Sequence, residues 1–361
     1  MTEPIGVYTV RNDAYEIATL PGAGSRPLLV RDPEPRTLVS ALTAHGRASE
    51  LVIDHGYWRN VVATPAKPSA GVGAGGLFAA HLDEWVGSVL TRSGTAKVLS
   101  PSYFVQAGDW AALDALVSAL MTVSDPRLVP FIATDAVMMG SANISRFRRA
   151  LAPLDGRPIA LLFAAKYRPL TSKPALTALR TVLAAHPGAW LVGVEPLVAL
   201  DAIAHGAGRV FVGTSSTQRF PRVPGCGGGG FNAAGFVPGL LHSELLEMRS
   251  PMIYADWYIS TRAPRCTICK APVDSFSATD QSKKAIRDHN IHAMSAVYTA
   301  MTAMAPGSLQ LSAHKHRLSG LLAHTALLPR VPVTEFDTTL RNLMRIDART
   351  LPIPPAVRAL I

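Results

Sequence analysis

Residues 159–195 read IALLFAAKYRPLTSKPALTALRTVLAAHPGAWLVGVE. An apolar run from Ile159 to Lys166 ends in a charge, a helical pattern follows from Lys173 to Ala185, and a second apolar run, Trp190 to Glu195, again ends in a charge. Short strands that are apolar on both faces and alternate with helices are the signature of βα units, because crossover helices bury both faces of a parallel sheet. The theme recurs at Leu51 to Asp54, Ala96 to Ser100, Leu128 to Asp135, Arg209 to Thr214 and Met252 to Asp256, with further helical patterns at Trp110 to Met121 and Leu197 to His205. This rhythm predicts an α/β fold, a (β/α)8 TIM-type barrel, in which strand C-terminal ends carry the chemistry.

Beyond residue 260 the rhythm stops. Lys283 to Met304 predicts one long amphipathic helix, with Ile286, His289, Ala293, Met294, Val297 and Met301 at helical spacing. The tail from Ser308 is helical and basic, and its His314-Lys315-His316-Arg317 cluster reads as a phosphate contact or as a solvated helix face. The expected organisation is a barrel over 1–262, a small zinc-binding insertion over 263–303, and a C-terminal helical segment over 304–361 packing on the barrel.

The chain has 361 residues, of which 48% are hydrophobic and 17% charged, so whole-chain disorder is excluded. No apolar stretch approaches the ~18 residues a membrane span needs, and the start lacks a basic-then-apolar leader pattern; a cytoplasmic protein with no membrane partner is expected. A net charge of +10 favours a polyanionic partner. Gly71, Gly73 and Gly76 formally satisfy G-x-G-x-x-G, but a proline-containing polar stretch precedes them where a strand is required, which excludes a dinucleotide site. The second glycine run, 225–230, reads as an active-site loop or a plain connector.

Three cysteines cannot form a disulfide framework, and two of them stand as Cys266-Thr267-Ile268-Cys269. A C-x-x-C turn lets two thiolates reach one tetrahedral zinc, and His289 on the following helix offers a third donor. A closed structural site wants four donors, for which His292, Asp274, Asp288 and Cys226 are all candidates. A reduced thiol pair beside an ordinary helix histidine is the alternative.

The order of these features resembles the tRNA-guanine transglycosylase superfamily, zinc-containing barrels that exchange a guanine in nucleic acid for a 7-deazaguanine, and is most similar to its DpdA-type, DNA-acting branch. Ile53-Asp54-His55-Gly56-Tyr57 is similar to the family's early Asp-Ser-Gly-Gly-Phe turn, and Phe131 to Asp135 to its base-reading strand. Lys166 stands where the family has a base-binding glutamine, and Gly193-Val194-Glu195 resembles its Gly-Glu strand end. Met252 to Asp256 looks like the nucleophile strand. Cys266, Cys269 and His289-Asn290 resemble the zinc motif, with Pro264 in place of its first cysteine.

The resemblance implies covalent attack on C1′ by Asp256, proton management by Asp54, and base recognition by Asp135, Lys166, Gly193 and Glu195, with structural Zn2+ on Cys266, Cys269 and His289. Base replacement without strand cleavage needs such a carboxylate pair, and Asp135 fits the N1–H and exocyclic amine edge of a guanine-like ring. Tyr57 is a candidate to stack on the extruded base. The expected partners are DNA or tRNA and a free 7-deazaguanine, with a homodimer or helper proteins also in view. Two rivals are a Schiff-base barrel aldolase using Lys166 and a non-catalytic zinc-containing nucleic-acid-binding barrel.

Overall fold

The computed structural model describes residues 3–20, 26–44, 46, 51–71, 82–93, 97–226, 238–277, 279–329 and 331–361. The expected glycine-rich stretches at 72–76 and 227–230 lie outside the described residues. Nine parallel strands form one sheet: β1 (Ile5–Val10), β2 (Leu28–Arg31), β3 (Leu51–Asp54), β4 (Lys97–Leu99), β5 (Leu128–Val129), β6 (Phe131–Asp135), β7 (Ala160–Ala164), β8 (Trp190–Val194) and β9 (Arg209–Gly213). The order is β5-β4-β3-β2-β1-β9-β8-β7-β6.

The two edges of that sheet, β5 and β6, are separated by Pro130 alone, so the chain itself closes the ring. Leu128 and Val129 pair with β4, while Phe131 to Asp135 pair with β7. Proline has no N–H to give a ladder, and the backbone changes partner at this residue. The Phe131 N–H, which no longer faces a strand carbonyl, donates to the buried Ser100 hydroxyl at 2.8 Å. β5 and β6 thus act as one bent strand, and the nine segments make an eight-membered barrel.

Tyr8, Leu29, Val52, Leu99, Val129, Phe131, Leu162, Trp190, Val192 and Phe211 fill the interior. It is a packed core and not a pore. Outside lie α1 (Arg11–Thr19), α2 (Arg36–Ala44), α3 (Leu82–Ser93), α4 (Trp110–Met121), α5 (Ile144–Leu151), α6 (Lys173–Ala185) and α7 (Pro196–Ala204). After β9 and the short α8 (Ser216–Arg219) come a hairpin, β10 (Leu240–His242) with β11 (Glu247–Arg249), then α9 (Pro251–Trp257) and α10 (Asp280–Ala303). α10 packs in the position of an eighth outer helix: Arg287 pairs with Asp13 and Glu16 of α1, and Ile291 and Met294 face Ile5, Val7 and Val212.

One expectation is corrected here. Met252 to Asp256 is a helix and not a strand, because Pro251 opens a turn at its first position and the ring already closes β9 against β1. Two strands that the periodicity did not reveal, β1 and β2, supply the count. The Pro/Gly/Ala stretch 61–76 reads in sequence as a linker or a lid; of its described residues, 61–71, Val62 and Ser69 bridge to Phe104 and Ser102 beyond β4.

Of the C-terminal helices α11 (Leu309–Thr325), α12 (Thr338–Asp347) and α13 (Pro355–Arg358), α11 and α12 pack against α6 and α7, and α13 packs on α11. The basic cluster on α11 is neither solvated nor aimed at phosphate. Arg317 bonds Asp347 at 2.6 Å and Asp201 at 3.1 Å, Arg180 bonds the same two carboxylates, and His314 sits 3.2 Å from Asp347. Only Lys315 of the four is exposed. Burial alone would raise the Asp347 pKa, yet the guanidiniums of Arg317 and Arg180 hold it below the ordinary value.

Removing one side of this buried network leaves charge without a partner. Arg317→Leu should lower the unfolding free energy by about 3–5 kcal/mol, read as a shift in the urea midpoint; a loss under about 1 kcal/mol, the scale of a surface pair, would contradict the assignment. The contribution of Asp347 is complete above its unfolded pKa of about 3.9 and is lost as pH falls through the lower folded value, so Asp347→Asn should flatten the acid limb of the stability profile.

Candidate metal centre and barrel mouth

Cys266 and Cys269 sit on a tight knuckle. Arg265 and Pro272 bridge antiparallel, the Cys266 N–H donates to Ala271, and the Lys270 N–H donates back to Cys266. Lys270 completes the turn at φ +59°, a left-handed conformation unusual for a side-chain-bearing residue. From α10, His289 and His292 project onto the knuckle from one face, being three residues apart.

The donor atoms of Cys266, Cys269, His289 and His292 all lie within 4.8 Å of one another, close enough to hold a metal ion. His289 is oriented for it. Its Nε2 lies 2.9 Å from the Leu241 carbonyl, which can only accept, so the proton is on Nε2 and the Nδ1 lone pair faces Cys269 Sγ at 3.4 Å. His292 Nε2 is buried with no hydrogen-bond partner. Burial pushes both imidazoles toward the neutral, ligating form and pushes the Cys269 thiol up. A bound cation reverses that last effect by favouring the thiolate. The donor set is S2N2, the chemistry of a tetrahedral soft-metal site.

Of the four candidates for the last donor, the structure brings only His292 to the cluster. Asp288 stands behind it, 4.0 Å from His292 Nδ1. Asn290 completes the clamp, accepting from the Leu241 N–H at 2.7 Å and donating to the Gly239 carbonyl at 2.8 Å. The site therefore ties the knuckle, α10 and β10 together.

At the C-terminal mouth of the barrel, Asp54 ends β3 and is almost fully buried. Its Oδ2 accepts from Tyr8 OH at 2.8 Å and Trp58 Nε1 at 3.2 Å, and its Oδ1 from the Gly56 N–H at 2.8 Å. Burial, then the Asp54 charge, hold the Tyr8 phenol well above its ordinary pKa, so it remains an O–H donor. Tyr57 stacks on His55 with ring centroids 6.0 Å apart and meets Trp85 and Tyr103 edge-on, which makes an aromatic cluster on the turn that follows Asp54.

The other anticipated residues scatter. Asp135 does end β6 at the same mouth, where its Oδ1 caps a 3-10 turn through the Val137 N–H. Asp256 is exposed on α9 and lines neither of the clefts at His55, the residue that follows Asp54. Glu195 does end the β8 strand, but its carboxylate is spent internally on Arg168 at 2.6 Å and Thr339 at 2.6 Å; burial and then nearby Asp337 raise its pKa. Gly193 has a backbone role: it forms a bulge at φ +71°, and a Cβ there would fall 2.8 Å from the Gln218 carbonyl. Lys166 is exposed, with its ammonium 5.5 Å from the Tyr167 ring, which is not the desolvated setting of a Schiff-base lysine.

Sequence reasoning missed Tyr8 and Arg31 at the mouth, because the first two strands were not anticipated, and it also passed over Arg59 on the turn after β3. No protein-family model matches the chain, and no curated protein matches it. No helix among the described residues is long and apolar enough to cross a membrane.

The purified protein should carry about one equivalent of metal, and chelation should lower its melting temperature. His292→Ala should lose the metal, while Asp274→Ala and Cys226→Ser keep it. Metal retained by His292→Ala, measured by elemental analysis, would remove the fourth-donor assignment.

Proposed function

We propose that the chain is a base-exchanging glycosyltransferase that acts on a guanine in nucleic acid and inserts a 7-deazaguanine, with its chemistry at the C-terminal mouth of the barrel and a zinc ion holding the fold at the Cys2His2 centre. The observation that carries this reading is Asp54. It is a buried carboxylate at a barrel strand end, oriented by Tyr8, Trp58 and the Gly56 N–H and followed in sequence by the aromatic turn of His55 and Tyr57, which supports a site for a flipped base.

Exchange requires a carboxylate oxygen to form a bond to C1′ as the bond to the guanine N9 breaks; the electron pair leaves with guanine, which takes a proton from water at the mouth, and the incoming base returns a proton to water as it attacks C1′ and the carboxylate departs. Asp256 has no part in this version, and Asp54 is the carboxylate at the reacting centre. Asp135, with one oxygen committed to its own turn, keeps the other to accept from the guanine edge. The C-terminal basic cluster is consumed in internal ion pairs, which removes a basic surface for a folded RNA arm, and we put DNA ahead of tRNA as the substrate.

The same observation supports a second reading. Both Asp54 oxygens are bonded within the protein, which suits a non-catalytic, metal-containing barrel that binds nucleic acid without turning it over. Exchange of labelled guanine into DNA separates the two. Asp54→Asn should lower that exchange by at least about a hundredfold, and Asp256→Asn should leave it unchanged. No exchange by the wild-type protein with any 7-deazaguanine or guanine would sink the enzyme reading and leave the binding one.

A further inference from the structure

Beside Asp54 a second feature of the mouth is built for an anion. A cleft of about 290 Å³ is lined by Arg11, Asn12, Arg31, Arg59 and Asn60, with His55 at its edge. It is supplied by the residues that follow β1, β2 and β3, so it opens on the same face as the buried carboxylate. We propose that this cleft binds a backbone phosphate of the nucleic-acid strand next to the extruded base; the proposal rests on the reading that the mouth takes nucleic acid.

Three observations support it. First, neither Arg31 nor Arg59 forms a salt bridge with a carboxylate among the described residues, whereas Arg11 is held by Asp32 at 3.5 Å and by Thr37 at 2.8 Å. Second, Arg31 is seated by design of the backbone. Gly56 takes φ +71°, and a Cβ there would lie 2.8 Å from Arg31 Cδ, so the glycine that lets Gly56 N–H bond Asp54 also makes room for the arginine stem. Third, the cations crowd one another: burial, and then the charge of Arg31, lower the Arg59 pKa from its ordinary value, although Tyr8 and the Asp54 charge pull the other way. An oxyanion between two guanidiniums relieves that repulsion, and the planar forks and two amide side chains suit the oxygens of a phosphodiester.

The adjoining cleft supplies the neighbouring base with a platform. It shares His55 and Pro33 with the first and is faced by Tyr57 and Trp85. Cations along a backbone beside aromatic rings are the usual arrangement for single-stranded nucleic acid.

The test is fluorescence anisotropy of a labelled 12-nucleotide single-stranded DNA, titrated at several KCl concentrations, with thermal melts confirming that each variant folds. Arg59→Gln and Arg31→Gln should each reduce the slope of log Kd against log salt by about 0.7, the value of one lost contact on a single strand. Lys315→Gln, which removes an exposed charge on α11, should leave the slope alone. Wild-type slopes in both arginine variants would overturn the proposal, as would competition for the cleft by millimolar inorganic phosphate with no DNA binding at all. Altered slopes without guanine exchange would uphold the subsite and sink the enzymatic reading; exchange with unaltered slopes would do the reverse.

Discussion

The change of partner at Pro130 is the constraint on which the rest of this structure depends. Without an N–H at that residue, the chain leaves β4 and joins β7, and the sheet becomes a ring. Once all strands run parallel around a closed barrel, their C-terminal ends meet at one mouth, whatever their distance in sequence. That is how Tyr8, Arg31, Asp54, Trp58 and Asp135 come to share a face.

The metal centre and the mouth divide the work of the molecule. The former lies on the outer layer, where the knuckle, α10 and β10 meet, and α10 in turn covers the β1 and β9 side of the barrel. His289, one of its donors, is oriented by the Leu241 carbonyl and not by anything at the mouth, which fits a role in holding α10 in place. A second clamp of paired buried acids and arginines, Asp201 and Asp347 with Arg180 and Arg317, fixes the C-terminal helices to α6 and α7.

Much of the fold was legible, and for physical reasons. Strands buried on both faces are continuous apolar runs, which is why β3 to β9 stand out between residues 51 and 213, and helices α4 and α6 match their predicted limits. Met252 to Asp256 failed because an apolar run of that length has no intrinsic preference between strand and short helix; Pro251 was the signal that decided it. Cys266, Cys269 and His289 were legible from spacing, and the i, i+3 placement of His292 on a predicted helix was the clue to the fourth donor. The burial of His314 and Arg317 was not legible, because their partners Asp201 and Asp347 are brought near only by tertiary packing.

The proposal that the mouth takes nucleic acid is most directly tested by covalent capture. A single-stranded DNA bearing one 6-thioguanine, irradiated on the intact protein and mapped by mass spectrometry, is expected to label Tyr57 or Tyr103 and the neighbouring residues of 51–71 and 100–106. Adducts confined to α9 around Asp256, or to the α11 and α12 surface, would contradict the assignment of the barrel mouth as the nucleic-acid site.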